Sequence, residues 1–318
     1  MQKKILFFGA GVLGSLYAAR ISDAGHEVSI LARGRRLQEI HSQGIVLEHA
    51  FSGKRSVSQV EVVNQLGASD RYDYIIVLVR NNQIRDALAL VSENLRTPNV
   101  MVMVNNPSGY GDWAGAVGKD RLMVGFAGAG GTIENGVVKY ALAPKFFQPT
   151  TLAELDGRAT TRLQEIVHIF RQAGFPTTTC ANMDAWQKTH VAWVSPLANA
   201  IYLAEQDGLP LSSSRPLLGL TVDAIREGYR VLASLGVPVT PPMLKFWQVL
   251  PKFLLVESLV AWTKTRHFNT LILRHSLAAR DEMNQVAKEF HLLSTSSGVS
   301  TRALDLLNSP TGNGRAIF

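Results

Sequence analysis

The chain has 318 residues, 46% hydrophobic and 18% charged, the balance of an ordinary globular protein, which excludes a disordered class and allows a large core in two domains. The net charge of +7 is dispersed except at Arg33-Gly34-Arg35-Arg36 and carries no aromatic-interleaved stripe, so it predicts phosphate and carboxylate binding and no nucleic acid partner. Cys180 is the single cysteine, which excludes an intrachain disulfide and a disulfide-stapled secreted scaffold; a free buried thiol is expected.

The first predicted element is a buried strand at Ile5-Leu6-Phe7-Phe8. Lys3-Lys4 before it imitates a signal peptide, but cleavage there would remove the loop that follows. That loop, Gly9-Ala10-Gly11-Val12-Leu13-Gly14, has the spacing G-x-G-x-x-G. Gly9 permits a tight turn, Gly11 lets backbone approach a pyrophosphate, and Gly14 lets the next helix lie against the strand. A helix from about Leu13 to Ala24 would turn its amino end, with Val12 and Leu13, toward the phosphates. Glu27–Leu31 is the second strand, completing the βαβ unit of an α/β, Rossmann-type dinucleotide-binding domain.

An NAD site usually places Asp or Glu at the end of that second strand, about 20 residues past the loop. This chain has Ala32-Arg33-Gly34-Arg35-Arg36 there. Guanidinium groups bind a ribose 2′-phosphate through forked hydrogen bonds, so NADP is the expected cofactor, with Arg33 the first candidate; the alternative is a solvated basic turn.

Residues 44–63 predict short strands and turns. Buried strands follow at Tyr74–Val79, ending in Arg80-Asn81-Asn82-Gln83, and at Val100–Val104, ending in Asn105-Asn106-Pro107, with a helix over about 84–94 between them. Ligands of open parallel sheets bind beyond the carboxyl ends of strands, so Gly9 to Gly14, Arg80 and Asn106 should share one edge. Leu122–Phe126 is a further strand, and Asn135-Gly136 signals a hairpin with which the sheet would finish antiparallel. A helix over 160–172 and a strand near 176–179 close a first domain at residue 180.

Residues 181–318 predict an all-helical second domain. Asn182 or Asp184 would cap a helix through Lys188, with a kink at Pro196. A second helix runs from Arg215-Pro216 to Leu235, residues 237–242 break the chain, more helices reach about Leu307, and Asn308 onward forms a loose tail. The most apolar run, Val249 to Trp262, contains Pro251, Lys252 and Glu257, so no membrane partner is expected and a cytoplasmic location is. No His/Cys/Asp/Glu cluster has ligand spacing, so no metal is expected. A homodimer through the helical domain is compatible with the sequence.

A dinucleotide domain followed by a helical domain carrying Trp186-Gln187-Lys188 resembles the ketopantoate reductase (2-dehydropantoate 2-reductase) family. The residues that carry the likeness are Gly9 to Gly14, Arg33, Asn106, Lys188, and Glu282 upstream of Gly298. The resemblance implies NADPH-dependent reduction of a small 2-oxo acid, 2-dehydropantoate first, in pantothenate biosynthesis. It makes Lys188 the general acid at the ketone oxygen and Glu282 its assisting carboxylate and a cofactor contact. Asn106 would touch cofactor and substrate, and Arg80 stands where the family has a cofactor-side lysine. Thr270 and Arg274 map to the family's substrate-side serine and aspartate, and Arg274 suits a carboxylate clamp.

The chain departs from the family at Ala192 and Pro196, four and eight residues after the lysine, where asparagines are usual. Pro107 and Lys288 replace glycines. These departures leave two alternatives open: another oxo acid or imine-type substrate, or a non-catalytic NADP-binding sensor. His190 and His275 are read as structural or solvated.

Overall fold

The computed structural model describes residues 1–309. They form two compact units: residues 1–105 with 109–183, and residues 106–108 with 184 onward.

The first unit is built on an eight-stranded sheet. β1 (Lys4–Phe8), followed by α1 (Val12–Asp23), pairs in parallel with β2 (Glu27–Leu31). After α2 (Gly34–Gln43) come β3 (Ile45–His49), β4 (Arg55–Ser58), β5 (Glu61–Val63), β6 (Tyr74–Val77), α3 (Ile84–Glu93), β7 (Asn99–Val102), α4 (Gly111–Val117) and β8 (Leu122–Phe126). Next are β9 (Ala129–Glu134), β10 (Val137–Leu142), β11 (Thr150–Glu154), α5 (Thr161–Gln172) and β12 (Thr177–Thr179). The strand order is β12-β11-β8-β7-β6-β1-β2-β5.

From β5 to β8 every neighbour is parallel, and the central strands are apolar on both faces, as helices on both sides require. From β1 the sheet builds outward through β2 to β5, and the chain then returns to place β6 on the other side of β1, which puts a topological switch point between β1 and β6. Tyr17 anchors α1. Its ring is buried against Phe170 and Phe175, and its hydroxyl meets Thr150 Oγ1 at 2.7 Å. Thr160 caps α5 by accepting from the Leu163 N–H.

The Asn135-Gly136 hairpin forms, with φ of +50° and +80°, but it does not finish the main sheet. β9 and β10 join a second sheet of order β4-β3-β10-β9, where β10 runs parallel to β3. The antiparallel pairing of the main sheet is β11 against β8, and β12 follows β11 in parallel.

The second unit is helical: α6 (Met183–Gln206), α7 (Arg215–Ser234), α8 (Phe246–Val249), α9 (Lys252–Thr263), α10 (Arg266–Phe268), α11 (Arg274–Ala278), α12 (Arg280–Ser296) and α13 (Arg302–Asn308). A π turn, Asn269–Leu273, joins α10 to α11. α6 stays helical through Pro196. Its core packs Val191, Ala192, Leu197 and Ile201 with Leu218, Val222, Ile225 and Tyr229 of α7. The buried Glu227 of α7 accepts from the Ala303 and Leu304 N–H groups at 2.8 and 2.9 Å, satisfying the amino end of α13. Asn308 closes α13, and the rest of the expected tail, residues 310–318, lies outside the described residues. Among the described residues no helix is long and apolar enough to cross a membrane.

Candidate active site

The three loop glycines meet three different physical demands. Gly9 has φ +121°, and a Cβ there would lie 2.3 Å from the Leu78 carbonyl oxygen. A Cβ on Gly14 would lie 1.8 Å from the Gly9 carbonyl oxygen, so α1 reaches the loop only without a side chain at 14. Gly11 differs from both. Its φ of −71° suits any residue, and a Cβ on it would meet no atom within 4 Å. No side chain caps α1, so the N–H groups of its first turn, at Val12, Leu13 and Gly14, stand beside this open position without intrahelical acceptors. The cradle fits a pyrophosphate: backbone donors, a positive helix end and room where a side chain would stand.

The arginines after β2 divide by task. Arg36 braces the loop, donating to Ala10 O at 3.2 Å, Ser15 Oγ at 3.0 Å and Gly136 O at 3.0 Å. Arg35 pairs with Glu39 at 2.9 Å. Arg33 is exposed at the amino end of α2, and among the described residues its side chain makes no hydrogen bond or ion pair.

Arg80 is exposed just past β6. Beside it Asn81, which sequence reasoning passed over, donates from Nδ2 to the Asn105 carbonyl at 2.8 Å and joins the loops after β6 and β7. Its only sequence signal is its place in the polar run 80–83. Asn106 is buried, and its Oδ1 accepts the Ser108 N–H at 2.9 Å in a tight Asx turn. Although it follows β7, Asn106 belongs to the compact unit that holds α6 and α12.

In that unit Lys188 lies in the second turn of α6 with its side chain 15% exposed. Its Nζ donates to Asp184 Oδ2 at 2.6 Å, one turn earlier on the same face. Glu282 is buried in the first turn of α12. Thr270 lies in the π turn, half-buried, and Arg274 is exposed and donates to Asn269 Oδ1 at 3.2 Å. On another face of α6 the Trp186 and His190 rings stack at 5.3 Å and 8°. Burial, reinforced by His275, lowers the pKa of His190 to about 4, so it is neutral at physiological pH. Cys180 is half-buried, less enclosed than expected, and burial pushes its thiol up, away from a reactive thiolate.

The family model described as Ketopantoate reductase PanE/ApbA matches residues 5–155. Residues 5–155 belong to the ketopantoate reductase family. The 2-dehydropantoate 2-reductase of Pyrococcus horikoshii is 23% identical over 273 residues, 80% of this chain and 79% of that one. Two of the similar solved structures share the fold over most of the chain. The 2-dehydropantoate 2-reductase of Geobacter metallireducens GS-15 has a TM-score of 0.75 at 17% identity, over 96% of this chain and 97% of that one. A D-mandelate dehydrogenase, in a ternary structure with NADH and anilino(oxo)acetate, has a TM-score of 0.71 at 17% identity, over 96% of each chain.

Against the ketopantoate reductase pattern the departures acquire physical reasons. Ala192 is fully buried against α7, where a Cβ on Gly228 would lie 3.0 Å from the Ala192 Cβ, so an asparagine side chain has no room at 192. Asn199 does not take its place, because it donates from Nδ2 to Asn308 Oδ1 at 2.5 Å. Sequence reasoning read Asp184 only as a helix cap; its four-residue spacing from Lys188 was the signal that linked the two.

Proposed function

We propose that the protein is an NADPH-dependent reductase of a small 2-oxo acid, with 2-dehydropantoate, reduced to pantoate, as the first candidate. Residues 1–180 would bind the cofactor and residues 181–318 supply the acid. The observation that carries this is Lys188, an ammonium held on a largely buried helix face, in the compact unit that also contains Asn106 and Glu282. The Gly11 cradle supports dinucleotide binding, and Arg33, exposed and without a side-chain partner among the described residues, supports a 2′-phosphate over a free ribose hydroxyl.

Bound NADPH would supply hydride to the carbonyl carbon. Lys188 donates a proton to the carbonyl oxygen as negative charge builds there, so C=O becomes CH–OH, and water reprotonates the neutral amine. Asn106 orients the substrate beside the cofactor, Glu282 supports the ammonium, and Thr270 and Arg274 receive the substrate's polar end.

The buried Ala192 supports a second reading, a different 2-oxo acid, since it offers no amide to the substrate. The test is NADPH and NADH oxidation across a panel of 2-oxo acids that includes 2-dehydropantoate. Turnover of 2-dehydropantoate with NADPH preferred is expected. Turnover of another acid alone moves the substrate, and tight NADPH binding with no turnover of any acid replaces the reductase by a sensor.

A further inference from the structure

We infer that Asp184 is the positioning residue that fixes the Lys188 ammonium for proton transfer. This rests on the reading of Lys188 as the general acid. A lysine ammonium sits on a flexible four-carbon stem with three rotatable donors, and holding it at one point requires an anchor. Asp184 Oδ2 is 2.6 Å from Lys188 Nζ, at the short end for a charge-assisted hydrogen bond.

Exposed ion pairs of this spacing order little, because solvent competes for both partners. This pair is not fully exposed: the side chains are 15% and 38% accessible, the lysine being the more enclosed. The order along the helix also matters. Asp184 lies in the first turn of α6, where the helix dipole favours an anion, with the lysine one turn on, the better arrangement for such a pair. A cation near the amino end of a 24-residue helix is poorly placed without that carboxylate.

The pair also leaves the ammonium able to act. Asp184 takes one of its three N–H donors and is the hydrogen-bond partner Lys188 has among the described residues, so two remain for a carbonyl oxygen. The carboxylate itself need not touch substrate.

The experiment compares wild type, Asp184→Asn, Asp184→Glu, Lys188→Ala and the double variant Asp184→Asn/Lys188→Ala, using NADPH and the 2-oxo acid turned over by the wild type. Asp184→Asn is expected to lower kcat about tenfold to a hundredfold, the size of effect a misplaced catalytic group produces, with KM and NADPH affinity little changed. Asp184→Glu should recover most of the loss. In the Lys188→Ala background the Asp184→Asn change should alter the residual rate by less than about twofold, since the aspartate then has nothing to position. Should Asp184→Asn fold poorly, Asp184→Ser removes the charge while keeping a residue suited to a helix start.

Asp184→Asn at wild-type kcat while Lys188→Ala is inactive would overturn the inference alone. So would an equal loss from Asp184→Asn in both backgrounds, which is what a merely structural aspartate gives. Full turnover by Lys188→Ala would remove the general acid, and the inference with it.

Discussion

Gly228 of α7 packs on Ala192 of α6, where a Cβ on Gly228 would lie 3.0 Å from the Ala192 Cβ and 3.3 Å from the Ala192 carbonyl oxygen. Pro196, four residues further on, has no N–H to give that carbonyl. The proline and the two small residues therefore form one feature: α7 packs on the turn of α6 that lacks a backbone bond. Asparagine at 192 would add a polar side chain to a fully buried, filled position. Ala192→Asn is expected to destabilise the protein by about 2–4 kcal/mol, read as a lower Tm, without raising the reduction rate.

Gly11 and Gly14 separate binding from folding. Gly11→Ala meets no protein atom and should leave Tm within a few degrees of wild type while sharply weakening NADPH, measured by quenching of intrinsic fluorescence. Gly14→Ala places its methyl 1.8 Å from a backbone oxygen and should lower Tm strongly whether or not cofactor is added.

Arg33 and Arg36 should divide in the same way. Arg33→Ala should lower kcat/KM for NADPH by about tenfold to a hundredfold, the loss of a charged hydrogen bond to phosphate, and leave NADH nearly unaffected. Arg36→Ala removes the brace between Ala10, Ser15 and Gly136, so both cofactors should suffer together, with a lower Tm.

These pairs also show what was legible in the sequence. The β1–loop–α1 unit was, because each glycine answers a demand made by residues a few positions away. So were the lengths of α5 and α7, bounded by Thr160, by Arg215-Pro216 and by Leu235-Gly236. The destination of the 129–142 hairpin was not: Asn135-Gly136 specifies the turn, but β10 pairs with β3 from much earlier in the chain, and nothing local encodes that choice. Glu227 was hidden for the same reason, since the N–H groups it satisfies lie 76 and 77 residues away. The burial of Ala192 depends on a helix crossing, which periodicity alone does not locate.

His190 makes stability depend on pH. Its folded pKa, about 4, lies below the ordinary value of 6.5, so the unfolded chain takes up a proton that the folded one refuses. The contribution of neutral His190 is fully present above pH 6.5 and is lost as pH falls from 6.5 toward 4. Part of the residue remains accessible, so the loss is set at about 2 kcal/mol. His190→Gln should flatten the curve of Tm against pH in that window, and an unchanged slope would contradict the assignment. Carboxylates such as Glu154 and Glu165, held below their ordinary range, add an acid loss common to both proteins.

The most direct test of the account is single-turnover hydride transfer, followed as loss of reduced-nicotinamide absorbance when NADPH-saturated protein is mixed with 2-dehydropantoate, for wild type and Lys188→Ala. Rapid oxidation by the wild type is expected, with a rate at least about a hundredfold lower in the variant and NADPH affinity unchanged. A variant within a few-fold of wild type would contradict the role of Lys188, and a wild type that binds NADPH yet reduces no 2-oxo acid would contradict the reductase itself.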